Sequence, residues 1–141
     1  MRRDRDLDTI CAVSTPVGVG GISVIRVSGP HASSMVRALC GFFPDKPESH
    51  RAYYGLLQSA MGQTDGDVVD EVIATYFQKG RSFTGEDTVE ISCHGSPQIV
   101  REILSELVNC GARPADRGEF TYRAFMNGRL DLVQAESVLS V

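Results

Sequence analysis

The sequence predicts an α+β domain: a mixed, mostly antiparallel sheet of about five strands, backed by two or three helices. Three observations support this fold class. Short runs rich in β-branched and aromatic residues recur through the first two thirds of the chain, Gly- and Pro-containing segments separate them, and later segments repeat apolar residues at helical spacing. With 141 residues, 42% hydrophobic and 23% charged, the composition is that of an ordinary globular protein.

The first elements are predicted as strand, loop, strand and helix. Thr9–Val13 is short and apolar, Thr15–Gly21 contains three glycines and a proline, and Ile22–Val27 is apolar again. The glycine loop does not match a phosphate-binding motif, because a strand and not a helix follows it. Pro30 suits a helix start, so Ala32–Cys40 is predicted as a short helix.

The middle of the chain is predicted to add three strands. Arg51–Gln58 and Asp70–Gln78 are rich in aromatic and β-branched residues and indicate a hairpin or adjacent strands. Thr88–Cys93 alternates strictly, which places Val89, Ile91 and Cys93 on one face. The polar residues of this segment share the other face: Thr88, Glu90, Ser92 and His94.

A longer helix is predicted from Ser96, which can cap it, to Gly111, which can end it. Apolar residues recur along this segment at helical spacing, while Arg101, Glu102 and Glu106 are predicted on the opposite, polar face. The apolar stripe consists of Ile99, Val100, Ile103, Leu104, Leu107 and Val108.

The last part of the chain is predicted to begin a second, helical domain. Phe120–Met126 has helical character, Asn127 and Gly128 interrupt it, and Asp131 with Gln134 has the spacing of a capping box for another helix. We therefore divide the chain into a domain of residues 1–118 and the start of a helical domain at 119–141. Because that last helix lacks partners for its apolar face, we expect a longer protein.

Composition excludes several classes of function. The net charge of −4 provides no general basic surface for a nucleic-acid backbone. The four cysteines are widely separated, without the spacing of a zinc or redox motif, and indicate buried thiols in a reducing cytoplasm. The chain shows no apolar segment long enough to span a membrane.

Three polar residues of the predicted sheet are candidates for binding, each with two interpretations. Glu90 is either part of a solvated sheet face or a fixed carboxylate that accepts hydrogen bonds from an aminopyrimidinone edge. Arg26 shares its predicted strand face with Ile22 and Val24, and from this otherwise apolar surface it either extends at a sheet edge to water or pairs with an anion. His94 is either a turn residue or a general base.

Other charged residues favour structural interpretations. Glu86 and Asp87 are adjacent and point apart in a strand or turn, which suits loop solvation or capping better than acid–base catalysis. The mixed charges around the helix Phe120–Met126 are typical of a solvated helical face. These charged residues are Arg117, Glu119, Arg123 and Arg129.

Four motifs occur in order along the chain. They are TPxGxGGI continuing to IRVSG at 15–29, SFTGED with Glu90 at 82–90, His94 with Gly95, and GEFTxRAFxNGxLDLxQAE at 118–136. Together they resemble the N-terminal part of the MnmE (TrmE) family of tRNA-modification GTPases. Two departures from the family pattern are Arg129, where Lys is frequent, and Arg117, where the family has Pro.

The resemblance implies a fold similar to the tetrahydrofolate-binding domain of aminomethyltransferases, and a homodimer that binds 5-formyltetrahydrofolate or a related tetrahydrofolate. It assigns folate binding to Arg26, Glu90 and Arg129, and it assigns no catalytic or metal-binding residue. It also implies a cytoplasmic protein that acts with the flavoprotein MnmG on C5 of the tRNA wobble uridine. GTP, Mg²⁺ and K⁺ would bind in a GTPase domain that this sequence does not contain.

Two other functions remain open from the sequence. The chain is alternatively a purely structural dimerisation module, in which case Glu90 is only exposed. It is alternatively a free-standing folate-dependent aminomethyltransferase, which a folate-enzyme continuation in place of a GTPase phosphate-binding loop would indicate.

Overall fold

The structure, a computed structural model, describes residues 7–14, 21–131 and 133–134. Most of the glycine loop and nearly all of the predicted last helix lie outside these residues. In the described part the elements are β1 (Ile10–Val13), β2 (Ile22–Ser28), α1 (Ala32–Leu39), β3 (Ala52–Gln58), β4 (Val68–Phe77), β5 (Thr88–His94), α2 (Pro97–Asn109), β6 (Arg113–Pro114) and α3 (Glu119–Met126).

The strands form a single sheet with the order β3-β4-β5-β2-β1-β6. Neighbouring strands are antiparallel except β6, which runs parallel to β1. The α+β class and the mixed, mostly antiparallel sheet are thus confirmed. The described residues add a sixth strand to the five expected, because Arg113 and Ala115 donate their amides to the carbonyls of Thr9 and Cys11, both at 2.9 Å.

The hydrophobic core lies where α1 and α2 pack on one face of this sheet. Val89, Ile91 and Cys93 of β5 point into it, as their alternation predicted. Ser96 accepts a hydrogen bond from the amide of Ile99, so the predicted cap of α2 is confirmed. The buried residues from α1, α2, the strands and the segment after α1 include Ile25, Val27, Val36, Leu39, Phe43, Leu57, Val72, Ile103 and Leu107.

One prediction for α2 is wrong. Glu106, expected on the polar face, is only 3% exposed, whereas Val108 from the predicted apolar stripe is 43% exposed. The connection between β3 and β4 folds over this end of α2, and the Glu106 carboxylate accepts hydrogen bonds from Ser59 Oγ at 2.7 Å and from the amide of Ala60 at 2.9 Å. Tertiary contacts have therefore overridden the helical pattern.

The opposite face of the sheet carries the polar row of β5 and is covered at one end. Thr88 is 1% exposed there, while the His94 side chain at the other end is 68% exposed. None of the helices in the described ranges is long and apolar enough to cross a membrane.

Candidate functional site

Arg26 and Glu90 meet at the centre of the polar sheet face. They are directly opposite each other in the antiparallel pair formed by β2 and β5. Arg26 Nε donates to Glu90 Oε2 at 3.0 Å, and Arg26 Nη2 lies at the same distance from that oxygen. The two side chains are 18% and 27% exposed, so the pair is partly withdrawn from water but still accessible.

Two aromatic rings contact the guanidinium of Arg26. Its Cζ lies 4.7 Å from the centre of the Phe83 ring and 5.3 Å from that of Phe120. Such contacts are cation–π interactions, which are stronger when water is partly excluded. Phe83 belongs to the loop between β4 and β5, and Phe120 belongs to the first turn of α3. The charged pair therefore lies at the meeting point of the sheet, a loop and a helix.

The loop that carries Phe83 is closed by two glycines. Gly80 and Gly85 both have positive φ, at +85° and +81°, and the Gly80 amide donates to the Gly85 carbonyl at 2.9 Å. A Cβ atom on Gly85 would lie 2.7 Å from Cβ of Asn127, at the end of α3. Asn127 also donates to the carbonyl of Thr84 at 2.9 Å. The loop is thus held against α3 by backbone as well as side-chain contacts.

Arg129 lies on the outer side of the same loop. It is exposed, its Nη1 donates to the carbonyl of Gly80 at 3.3 Å, and its stem passes close to Gly85. Of the three residues predicted to bind a ligand, the structure therefore joins Arg26 to Glu90 directly. In the described part of the chain, Arg129 is related to them through the loop and not by direct contact with either side chain.

A buried polar cluster continues from the charged pair toward α3. Ser28, two residues after Arg26 on the same strand face, contacts the hydroxyl of Thr84 at 2.7 Å and donates to Glu86 Oε1 at 2.9 Å. Both oxygens of Glu86 accept from Arg123 Nη1 at 3.1 Å. Glu86 is 9% exposed and Arg123 2%.

This cluster corrects two expectations from the sequence. Glu86 is not solvated, and the mixed charges of α3 do not form a fully solvated face, because Glu119 and Arg123 are buried while Arg117 and Arg129 are exposed. The signal that could have located Arg123 is that it is the one charged residue in the predicted helix Phe120–Met126. Asp87 does point away from Glu86, as predicted, and accepts from the amide of Lys79 at 2.8 Å.

Glu119 connects this cluster to β6. Burial opposes ionisation of its carboxyl group, but hydrogen bonds from Arg113 and the Asp116 amide, with the charges of Arg113 and Arg123, outweigh burial and lower the pKa of Glu119. Arg113 Nη2 donates to Glu119 Oε2 at 2.6 Å. This carboxylate is therefore a stabilising anion rather than a proton donor at neutral pH.

His94 is held by a carboxylate, although no nucleophile is joined to it in the described part of the chain. Asp70 contacts His94 Nδ1 at 2.7 Å and accepts from the His94 amide at 2.8 Å. The imidazole lies at the edge of a cavity of about 280 Å³, and Ile22, Tyr54 and Ile73 are among the residues that line this cavity. The arrangement orients the ring, and it leaves the turn-residue and general-base interpretations both open.

The cysteines do not provide reactive thiols. Burial raises the pKa of Cys11 to about 11 and that of Cys40 to about 12, which disfavours the nucleophilic thiolate. All four are free, with Cys11, Cys40 and Cys93 buried, as predicted, and Cys110 partly so. Among the described residues, no group of three or more His, Cys, Asp or Glu side chains could hold a metal ion.

The fold and the site define a class: an α+β domain whose sheet presents an aromatic-covered arginine–glutamate pair beside the start of a further helix. A family model described as the N-terminus of the GTP-binding protein TrmE matches residues 9–129. The chain belongs to this family.

Curated relatives agree with the family model. The chain is 68% identical over its whole length to the tRNA modification GTPase MnmE of Bdellovibrio bacteriovorus. It is 49% identical over 136 residues, 95% of the chain, to the protein of that name from Geobacter metallireducens, and 50% identical over 136 residues, 94% of the chain, to that from Parabacteroides distasonis. In each case the chain spans 29% of the relative's length.

Proposed function

We propose that this chain binds 5-formyltetrahydrofolate or a related one-carbon tetrahydrofolate through Arg26, Glu90 and Arg129. The single observation that carries the proposal is the half-buried Arg26–Glu90 pair, in contact with the rings of Phe83 and Phe120. A charged pair at the centre of a sheet face, still accessible and bordered by aromatic surface, suits a flat polar heterocycle.

The residues present fit the chemistry of a pterin. The hydrogen bonds from Arg26 to Glu90 recorded in the described residues end on Oε2, so Oε1 keeps the capacity to accept from a ring amine or amide. Arg26 and Arg129 supply donors for carbonyl or carboxylate oxygens, and the aromatic rings supply apolar surface. The folate itself would supply the one-carbon group, while the protein binds and orients it.

The role of the complete protein follows from its relatives. Because they are named tRNA modification GTPases, we infer that this domain is part of such an enzyme. That enzyme would bind GTP with Mg²⁺ and K⁺ outside the present residues and act in the cytoplasm with MnmG on C5 of the tRNA wobble uridine. The acidic balance of this chain supports a tRNA contact made mainly by other parts of the protein.

Homodimerisation through this domain is part of the proposal. The sheet face near His94 exposes large apolar side chains on β2, β3 and β4: Ile22 and Tyr54 are each 66% exposed, and Ile73 is 42% exposed. Tyr54 and Ile73 are directly opposite each other on β3 and β4. Exposed apolar patches of this kind are typical of protein interfaces.

Calorimetric titration with 5-formyltetrahydrofolate tests the binding proposal. Glu90→Gln keeps the size of the side chain but removes its charge, and each lost charge-assisted hydrogen bond costs about 1.5–3 kcal/mol, so we expect affinity to fall roughly ten- to a hundredfold. Glu102→Gln, on the exposed side of α2, serves as control and should bind normally. Unchanged affinity in Glu90→Gln would contradict the assignment.

The structural dimerisation module remains the second candidate, because Arg26 already neutralises Glu90 within the chain. Sedimentation of the same samples separates the two. If the wild-type chain dimerises but gives no heat with the folate at high micromolar concentration, the pair serves only to join β2 to β5.

A further inference from the structure

One guanidinium connects three separate parts of the chain beside the candidate site. Arg123, on α3, is 2% exposed. Its Nη1 donates to both carboxylate oxygens of Glu86 at 3.1 Å and to the carbonyl of Asp8 at 2.6 Å, and its Nη2 donates to Glu119 at 3.2 Å. The loop before β5, the segment before β1 and the first turn of α3 therefore meet at this side chain.

Two of these segments also supply the rings around Arg26. Phe83 lies three residues before Glu86 in the loop, and Phe120 lies three residues before Arg123 on α3. In a helix, residues three apart lie on neighbouring parts of the same surface. The distance between loop and helix, which Arg123 and Glu86 fix, therefore also determines how far apart the two rings stand.

The contact between Arg123 and Glu86 is also connected to β2, through Ser28. Glu86 accepts from Ser28, which follows Arg26 by two residues on the same face of the strand, so the carboxylate that holds the helix also holds the strand. Arg123, Glu86 and Ser28 on this route are all buried, and buried hydrogen bonds of this kind fix geometry closely. The route runs from α3 to Glu86, to Ser28, and along β2 to Arg26.

We propose that Arg123 is a positioning residue for the folate site: by joining Glu86 to α3, it sets Phe83 and Phe120 on Arg26 and holds Arg26 in register with Glu90. This inference rests on the proposed function for its ligand, but its geometric part does not need one. It makes the site dependent on how α3, the start of the predicted helical domain, is docked on the sheet.

The alternative is that Arg123 only stabilises the fold. Buried ion pairs often contribute little net stability compared with apolar residues of similar size, although removal of one partner is costly. A loss of stability alone therefore does not distinguish the two roles. The deciding measurement must report on Arg26 itself.

Arg123→Lys is the test variant. Lysine keeps the charge, but its compact ammonium group cannot reproduce the planar fork that serves Glu86, Glu119 and Asp8 together. Arg113→Lys is the matched control, because Arg113 binds the same Glu119 from the side of β6. Two measurements are made on both variants and on the wild-type chain: the ¹⁵N–¹H signal of Arg26 Nε in the free protein, and the affinity for 5-formyltetrahydrofolate by calorimetry.

In the wild-type chain, the Arg26 Nε–H signal should be shifted by the ring currents of two rings and protected by Glu90. We expect Arg123→Lys to move or broaden this signal and to weaken folate binding about tenfold or more, the equivalent of one charge-assisted hydrogen bond. Arg113→Lys should keep both values close to those of the wild type, whatever its change in stability.

An unchanged Arg26 signal in folded Arg123→Lys overturns the inference, with or without ligand. If the wild-type chain binds no folate, the proposed function fails, and the Arg26 signal alone still decides the positioning role. If Arg123→Lys does not fold, Glu86→Gln takes its place, since it keeps the size of the partner and weakens the same contact. A shifted Arg26 Nε signal in Glu86→Gln then supports the positioning role, and an unchanged signal overturns it.

Discussion

At the scale of single residues, Gly85 combines two constraints. Its φ of +81° lies in the left-handed region, and an added Cβ would meet Asn127 Cβ at 2.7 Å. Gly128 has a similar φ of +74°, but no atom lies within 4 Å of its hypothetical Cβ. The two glycines therefore separate the cost of backbone conformation from the cost of a steric clash.

We expect Gly128→Ala to lower the free energy of unfolding by about 1–2 kcal/mol, the usual cost of a left-handed non-glycine residue. Gly85→Ala should lower the free energy of unfolding by that amount and by about 1–3 kcal/mol more, because overpacking forces the loop away from Asn127. Urea unfolding of the two variants measures the difference. Equal losses of unfolding free energy in the two variants would show that the loop accommodates the added Cβ at no cost. Gly85 would then be required only for its positive φ.

At the scale of elements, the connection between β3 and β4 depends on one side chain of α2. Glu106 accepts from the Ser59 hydroxyl and the Ala60 amide, both in that connection. In Glu106→Ala these donors lose a charged acceptor, and we expect the free energy of unfolding to fall by about 1–3 kcal/mol. Hydrogen exchange of the Ala60 amide should accelerate as the connection loosens.

Glu102→Ala is the control for this change, since Glu102 lies one turn earlier on α2, is exposed, and accepts only from Gln98 in the described residues, at 3.2 Å. It should alter stability by no more than about 0.5 kcal/mol. If Ala60 exchanges at the wild-type rate in Glu106→Ala, the connection is held by other contacts and its anchoring by α2 is refuted.

The elements also show how far the sequence determines the fold. Alternation in Val89, Ile91 and Cys93 predicted β5, and the Ser96 cap predicted the start of α2, because both signals are local. The two-residue strand β6 gave no local signal, since it exists only through pairing with β1. Glu106 was misplaced for the same reason: its partners lie 46 and 47 residues away.

The candidate site was also predictable from the sequence only in part. The strand pattern predicted Glu90 on a polar sheet face and Arg26 on an otherwise apolar one, but their contact spans 64 residues and depends on the register of β2 against β5. Arg123 and Glu86 are 37 residues apart, and mixed charges on a short helix usually indicate a solvated surface. Arg26 and Glu90 could therefore be named as candidates in advance, whereas their contact and the buried cluster that supports it could not.

At the scale of the whole molecule, a network of charges fastens the α3 end to the sheet. Arg113, on β6, donates to Asp8 at 3.0 Å and to Glu119 on α3. Arg123 extends this network to Glu86. This network joins residues from four separate segments. The protonation state of one of its carboxylates therefore affects the stability of the entire fold.

Glu119 makes this network sensitive to acid. Its pKa in the folded chain is below the ordinary value of 4.5, because Arg113, the Asp116 amide and Arg123 together outweigh the effect of burial. Folding therefore favours the charged form, so the stabilisation is fully present above the ordinary pKa and is lost as the pH falls below 4.5 and through the folded pKa. Wild-type stability should decline over that acidic window.

Glu119→Gln removes this contribution at every pH. We expect it to lower the free energy of unfolding by about 1–3 kcal/mol at neutral pH, and we expect the difference from wild type to shrink as the pH falls below 4.5 and through the folded pKa, where the wild-type carboxyl also becomes neutral. Urea unfolding across this range measures both. Asp45→Asn, which removes the exposed contact with Arg37, should follow the wild-type curve. A constant gap between Glu119→Gln and wild type at all pH values would mean that Glu119 acts by shape alone, and that its charge does not hold α3 to the sheet.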